Sequence, residues 1–148
     1  MADEGSHRWN QRIDLWGNPP YFHGVAEAVI TPGDLLAVNP TNGLLAPHGT
    51  AAGVQAAALF ALTNTVTGKG LEDTYAIGDT VYYCAAKPGD LIQARLEVGA
   101  VVHPGTRLES AGNGQLQVQT TGVAVAESVE DETVTGNPAY VRVRIVAS

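Results

Sequence analysis

The chain has 148 residues, of which 45% are hydrophobic and 16% are charged, and its formal net charge is −7. This length fits one domain, and the few, scattered lysines and arginines argue against a nucleic-acid partner, because phosphate binding needs clustered basic residues. The single cysteine, Cys84, rules out an internal disulfide and a cysteine metal cluster. No apolar run reaches the roughly 18 residues that a membrane-spanning helix needs.

The first 24 residues differ from the rest of the chain. They contain both tryptophans, and the pair Pro19-Pro20 forbids a helix and favours an extended path. Large aromatic side chains in such a segment cannot form a core alone, so they need a surface to lie on. We therefore predict an extended N-terminal arm, residues 1–24, and a β-domain, residues 25–148. The arm has no signal-peptide core, so we expect synthesis in a cytoplasm.

We expect the arm to contact another chain, and packing on its own domain is the alternative. Tryptophan, tyrosine and arginine are the residue types that most often dominate binding energy at interfaces. The candidate partner-binding residues of the arm are Arg8, Trp9, Arg12, Trp16, Tyr21 and Phe22.

A turn motif recurs four times after the arm, at residues 32–36, 77–81, 88–92 and 104–108. It reads proline or isoleucine, then glycine, then aspartate or threonine, and an apolar segment follows. Proline presets φ for the second position of a type II turn, and glycine adopts the positive φ of the next position. Asp34, Asp79 and Asp90 share one position of this motif, so we predict that each accepts a hydrogen bond from a nearby backbone N–H.

Two Asn-Gly pairs, Asn42-Gly43 and Asn113-Gly114, predict β-hairpins, since both residues tolerate positive φ. Each pair follows a Pro-Gly turn at nearly the same spacing, with a leucine (Leu36 or Leu108) shortly after that turn. We therefore predict that one turn–strand–hairpin–strand unit occurs twice.

The remaining segments also favour strands. Residues 51–61 are rich in alanine and compatible with a helix, but we predict a strand over residues 57–64 because its surroundings are β. Arg142 and Arg144 alternate with apolar residues, as on a half-buried strand, and residues 127–138 are predicted to form a surface loop. The expected fold is an all-β barrel or sandwich of nine or ten short strands.

Motifs for catalysis are absent from the sequence. No nucleophile elbow or phosphate-binding fingerprint occurs, and the four histidines have no i, i+4 pairing. We expect neither a catalytic site, a cofactor nor a metal. Cys84 follows an apolar run and is predicted to be a buried, inert thiol.

The order of motifs between residues 59 and 114 resembles that of the head decoration, or cement, proteins of tailed bacteriophages. The motifs are Leu59-Phe60-Ala61-Leu62, Gly68-Lys69-Gly70-Leu71-Glu72-Asp73, Tyr75-Ala76-Ile77-Gly78-Asp79 and Leu108-Glu109-Ser110-Ala111-Gly112-Asn113-Gly114. The resemblance implies a virion protein, made in the host cytoplasm, that binds the outside of the expanded capsid and cements neighbouring capsomers. It implies the major capsid protein as partner, together with further copies of the chain in a homotrimer.

Two other functions are compatible with the sequence. A glycan- or receptor-binding module would use aromatic residues near the domain loops, such as Tyr75 and Tyr140. An enzyme of β-barrel type would need two or more of Asp34, Asp79, Asp90 and His103 in one pocket. For a cement protein, we expect that removing residues 1–24 leaves a folded domain that no longer binds capsids.

Overall fold

A computed structural model describes residues 12–49 and 58–146. These residues form one short 3-10 helix (Thr65–Thr67) and thirteen strands: β1 (Asp14–Trp16), β2 (Tyr21–Val25), β3 (Leu36–Val38), β4 (Leu45–Pro47), β5 (Ala58–Ala61), β6 (Thr80–Ala86), β7 (Leu91–Leu96), β8 (Val101–Val102), β9 (Arg107–Ser110), β10 (Leu116–Val118), β11 (Ala126–Ser128), β12 (Glu132–Thr133) and β13 (Ala139–Ile145). No helix in this part of the chain could span a membrane.

Five strands close into a barrel in the order β7-β10-β9-β11-β13, because β13 pairs with β7 again. β7 and β13 are antiparallel over six residue pairs, from Ala139 opposite Leu96 to Arg144 opposite Leu91. β10 meets β7 in parallel at Leu116 and Leu96. The prediction of a compact all-β barrel is confirmed.

The barrel core is built by the inward faces of these strands. On β13, Val141, Val143 and Ile145 are buried, while Arg144 points outward to Glu127. The alternation of arginines and apolar residues in β13 therefore reflects a strand with one buried face, as predicted.

Cys84 is fully buried in the same apolar cluster, and burial raises the pKa of its thiol to about 12. The thiol therefore stays protonated and unreactive, as predicted.

Three smaller sheets complete the described part of the chain. β2, β6 and β5 form an antiparallel three-stranded sheet in that order, β12 pairs with β8, and β3 pairs with β4. The prediction of a strand over residues 57–64 is confirmed for Ala58–Ala61; residues 51–57 lie outside the described part. Residues 127–138 contain β12 and not only a loop. The structure has more strands than predicted for two reasons. The two-residue strands β8 and β12 carry no alternation that a sequence could reveal, and β1 and β2 form in the segment that was predicted to be an extended arm.

The four repeated turns have the predicted geometry. Their glycines have φ between 92° and 96°. In each of three copies the aspartate accepts a hydrogen bond from the N–H three residues earlier, at 2.9 Å for Asp34, 2.8 Å for Asp79 and 2.8 Å for Asp90. In the fourth copy the Thr106 hydroxyl accepts the corresponding N–H at 2.9 Å. The repeated aspartates thus hold the turns, as predicted from the sequence.

The repeated hairpin unit is also confirmed at the level of single hydrogen bonds. β3 and β4 form one hairpin and β9 and β10 the other. Asn42 and Asn113 each accept the N–H two residues later through their side-chain oxygen, at 2.9 Å and 3.1 Å.

The two hairpins meet at a junction of main-chain bonds. Leu35 N donates to Gly114 O, His48 N donates to Leu35 O, and Gly114 N donates to His48 O. The His48 ring is buried there, with Nδ1 2.7 Å from the Ser110 hydroxyl. Burial lowers the pKa of His48 below its ordinary 6.5.

This buried imidazole makes stability depend on pH in a defined window. The folded protein holds His48 neutral, so its contribution is complete above pH 6.5, the pKa that the unfolded chain keeps. As the pH falls below 6.5 the unfolded state binds the proton first, and the free energy of unfolding decreases, by about 1.4 kcal/mol per pH unit at most. We expect His48→Gln to flatten this slope in urea unfolding measured between pH 7 and pH 5. An equal slope in both proteins would contradict the assignment.

Candidate functional site

The described part of the N-terminal arm lies along the chain's own sheets. β1 pairs with the start of β7, where Asp14 is opposite Ile92, and Ile13 is buried in the barrel core. β2 then pairs with β6 along its whole length. Arg12, Trp16, Tyr21 and Phe22 are therefore held on strands or beside them. Arg8 and Trp9 lie outside the described residues.

These two strands carry a group of exposed aromatic side chains. Trp16 is 67% exposed, Tyr21 58% and Phe22 48%. Phe22 stacks on Tyr83 of β6, with ring centroids 5.7 Å apart and an interplanar angle of 29°. This contact fixes one face of the Phe22 ring. β1 and β2 thus present large aromatic side chains that residues 12–49 and 58–146 leave exposed.

An open groove of about 400 Å³ lies beside them, a volume within the range of ligand sites in proteins. We call it the arm groove. It is lined by Arg12, Asp14, Tyr21, Phe22, Leu62, Thr63, Thr65, Val66 and Tyr82. Three of the six residues predicted from the sequence, Arg12, Tyr21 and Phe22, are among them, and Trp16 is not.

The polar wall of the arm groove is a chain of three side chains. Arg12 Nη2 lies 2.9 Å from Asp14 Oδ2, and the Tyr21 hydroxyl donates to the same oxygen. This hydrogen bond, followed by burial, raises the pKa of Tyr21, so the phenol stays protonated and continues to donate. Asp14 is nearly buried. Because the pair of opposite charges cancels, the wall is polar and close to neutral.

The apolar wall comes from residues that the sequence did not point to. Leu62, Thr63, Thr65 and Val66 follow β5 and lead through the 3-10 helix, and Val66 is 75% exposed. Asn64 caps this helix by accepting the N–H of Thr67. Val66 is exposed beside the aromatic residues that line the same groove, as at a protein interface. The sequence does not reveal this, because only the fold brings residues 62–66 and β2 to one groove.

The aromatic residues named for a glycan site are structural. Tyr75 is 2% exposed and its hydroxyl donates to Leu62 O at 2.6 Å, while burial raises its pKa to about 12. Tyr140 is 8% exposed, and its hydroxyl lies 2.8 Å from Pro32 O. Neither ring presents a face to a ligand, so the placement of a glycan site on these two residues is wrong.

The four groups named for a barrel-type enzyme have separate partners. Asp79 and Asp90 accept N–H groups of their own turns. Asp34 is buried and also accepts from Arg95 Nη1 at 2.9 Å; burial raises its pKa, and the bonds from Thr31 and Arg95 oppose that rise. His103 pairs with the exposed Asp131 at 2.5 Å. Within residues 12–49 and 58–146, no three histidine, cysteine or acidic side chains are grouped as metal ligands.

No protein-family model matches the chain, and no curated protein sequence matches it. A solved structure with a similar fold is the N base of the head fibre protein gp8.5 from bacteriophage phi29. The TM-score is 0.59 and the sequence identity 13%, and the likeness covers 87% of this chain and 95% of that one. At this identity the comparison shows a shared fold.

Proposed function

We propose that the chain is a structural virion protein that binds the outer surface of the expanded capsid of a tailed phage and cements neighbouring capsomers. The observation that carries the proposal is the fold shared with the N base of a phage head fibre over 87% of the chain. A fold alone hosts many functions. The exposed aromatic side chains beside the arm groove supply the second, independent support, because they are typical of protein interfaces.

The major capsid protein is the partner in this proposal, and further copies of the chain complete a homotrimer on the capsid. The mechanism is thermodynamic and needs no catalytic residue, cofactor or nucleic acid. A protein that binds only the expanded shell stabilises that shell by mass action, and many copies add their contributions. The net charge of −7 keeps the outward surface from associating non-specifically.

Trp16 and Phe22 are the proposed anchors of this interface. We expect Trp16→Ala and Phe22→Ala each to weaken binding to expanded heads by about 30-fold, the effect of a loss of about 2 kcal/mol at an interface hot spot. Co-sedimentation of the purified variants with heads that lack the protein measures this. Both variants should fold, since these side chains are largely exposed.

Val98→Ala is the matched control for these two variants. Val98 is 48% exposed, as Phe22 is, but it follows the end of β7 opposite to the end that pairs with β1. Its loss should leave binding unchanged. Equal weakening by all three substitutions, or by none, would contradict the exposed aromatic side chains of the arm as the binding surface.

Point substitutions are better suited to this question than removal of residues 1–24. That truncation would delete β1 and most of β2, together with the core residue Ile13. Loss of binding by the shortened chain could then come from the missing contact residues or from a damaged fold, and the experiment would not separate the two.

A glycan- or receptor-binding module remains the alternative function, and it would also have to use the exposed aromatic residues of the arm.

A further inference from the structure

β2 is exposed on both of its faces, which is unusual for a strand in a small β-protein. Tyr21, Phe22, His23 and Val25 are all exposed, and Gly24 is half-buried. The strand is held by β6 on one side. Within residues 12–49 and 58–146, no other strand pairs with β2, so the order β2-β6-β5 leaves it at the edge of its sheet.

The hydrogen bonds that flank this pairing fix which main-chain groups face outward. Ala85 N donates to Pro20 O at 3.1 Å, and Ala26 N donates to Asp79 O at 3.0 Å. Hydrogen-bonded pairs alternate along an antiparallel ladder. The even-numbered residues Phe22 and Gly24 therefore bond to β6, and the N–H and C=O groups of Tyr21 and His23 point away from it.

This edge lacks the features that usually prevent a further strand from adding. Natural edge strands carry charged side chains, prolines or bulges. β2 has the sequence Tyr-Phe-His-Gly-Val, with no lysine, arginine, carboxylate or proline, and its register with β6 is regular. Beyond residue 25 the edge is covered, because Ala26 bridges to Leu45. The open part is thus short and contains the main-chain groups of two residues.

We propose that an extended segment of the capsid shell protein adds as a fourth strand to this sheet, along Tyr21–His23 of β2. The inference rests on the proposed function and specifies its binding mode. Main-chain bonds to Tyr21 and His23 supply the affinity, and side chains of the added strand supply specificity by entering the adjoining arm groove. The segment is uncharged where it crosses β2 and carries a bulky apolar side chain, because the edge is uncharged and the groove wall of Arg12 and Asp14 is neutral as a pair.

A second copy of this chain fits the edge less well than a shell segment does. Two copies joined along β2 would use the same strand in both, and such an isologous contact closes at two copies, whereas the proposed homotrimer needs a contact between two different surfaces. Self-pairing is accordingly one outcome of the test below and not the proposal.

Two substitutions at one residue separate main-chain from side-chain recognition. His23→Pro removes an N–H that points away from β6, a position where an edge strand tolerates proline. His23→Ala removes the side chain and keeps the N–H. Binding to expanded heads is measured by co-sedimentation. We expect His23→Ala to bind within about threefold of the wild type and His23→Pro to bind at least about 30-fold more weakly, since a proline both loses the bond and blocks the approach.

Amide hydrogen exchange at residues 21–25 supplies a readout that does not depend on the proline variant folding. In the free protein the amides of Tyr21 and His23 should exchange rapidly, and those of Phe22 and Gly24 slowly. Bound to heads, the first two should become protected. Rapid exchange of Tyr21 and His23 in the bound protein would overturn the inference, as would equal binding by the two His23 variants.

The same experiments distinguish failure of the inference from failure of the proposed function. If the wild type does not sediment with heads, the proposed function is wrong. If the wild type sediments with heads, but the His23 variants bind equally and the Tyr21 and His23 amides exchange rapidly in the bound protein, only the binding mode is wrong. If sedimentation velocity without heads shows that the wild type is a dimer and that His23→Pro is a monomer, the occupant of the edge is a second copy, which contradicts the shell segment.

Discussion

Gly114→Ala is expected to lower the free energy of unfolding by about 3–4 kcal/mol, whereas Gly43→Ala should lower it by only about 1–2 kcal/mol. The two glycines occupy the same position in the repeated hairpin unit, and both have positive φ, 84° and 75°. A side chain at either position therefore has the same backbone strain. The two sites differ in what surrounds them.

A Cβ at residue 114 would lie 2.8 Å from Asp34 Cγ and 2.9 Å from Pro47 Cβ, while a Cβ at residue 43 would have nothing within 4 Å. Asp34 cannot move away easily, because Thr31 N and Arg95 Nη1 hold its carboxylate. Urea unfolding of both variants, with the midpoint and slope measured separately, gives the comparison. Equal destabilisation by the two substitutions would show that the hairpins do not pack as described.

Glu109→Ala is expected to lower the free energy of unfolding by about 3 kcal/mol, and Glu109→Gln by about half as much. Glu109 is fully buried. Its carboxylate accepts from Gln117 Nε2 at 2.7 Å, from Thr120 N at 3.1 Å and from Gly122 N at 2.8 Å. Burial alone would raise the pKa of Glu109, but these hydrogen bonds outweigh burial and lower it. Glutamine keeps one oxygen to accept the two main-chain N–H groups, so it should retain part of the stability.

Glu127→Ala is the matched control for Glu109. Its carboxylate forms ion pairs with Arg144 at 2.9 Å and Arg107 at 3.8 Å on the outer surface, and exposed pairs contribute less than about 1 kcal/mol. Because the pKa of Glu109 is lowered on folding, its contribution is present above the ordinary pKa of 4.5 and is lost as the pH falls through the lowered value. Denaturation measured at pH 7 therefore shows the full effect. A cost for Glu109→Ala no larger than for Glu127→Ala would contradict this role.

The local features of the fold could be predicted because their causes are local. The aspartates of the repeated turns bond to amides three residues away, and the Asn-Gly hairpins are set by two residues each. The sequence shows Glu109 only as part of a motif. It does not reveal the hydrogen bonds to the Glu109 carboxylate, because their donors lie 8 to 13 residues away along the chain. The length and composition of the chain do not reveal such a contact.

The candidate site was predictable by residue type and not by geometry. Aromatic residues in a proline-containing segment pointed to Trp16, Tyr21 and Phe22, which are all exposed. The groove beside them also needs Leu62 and Val66, whose approach depends on the order of the strands β2, β6 and β5. The edge of β2 depends on the pairing register, which a sequence does not contain. Contact of the arm with another chain stays a prediction.

Binding of the wild-type chain to expanded capsids decides whether it acts as a capsid cement protein. Under the proposed function, heads of the phage that encodes this chain are assembled without it and mixed with increasing amounts of the purified chain, and the bound fraction is measured by co-sedimentation before and after expansion. We predict saturable binding to expanded heads at a fixed ratio to the shell subunit, and none to unexpanded heads. A bound fraction that does not saturate, or that is the same for both kinds of head, would contradict a capsid cement protein.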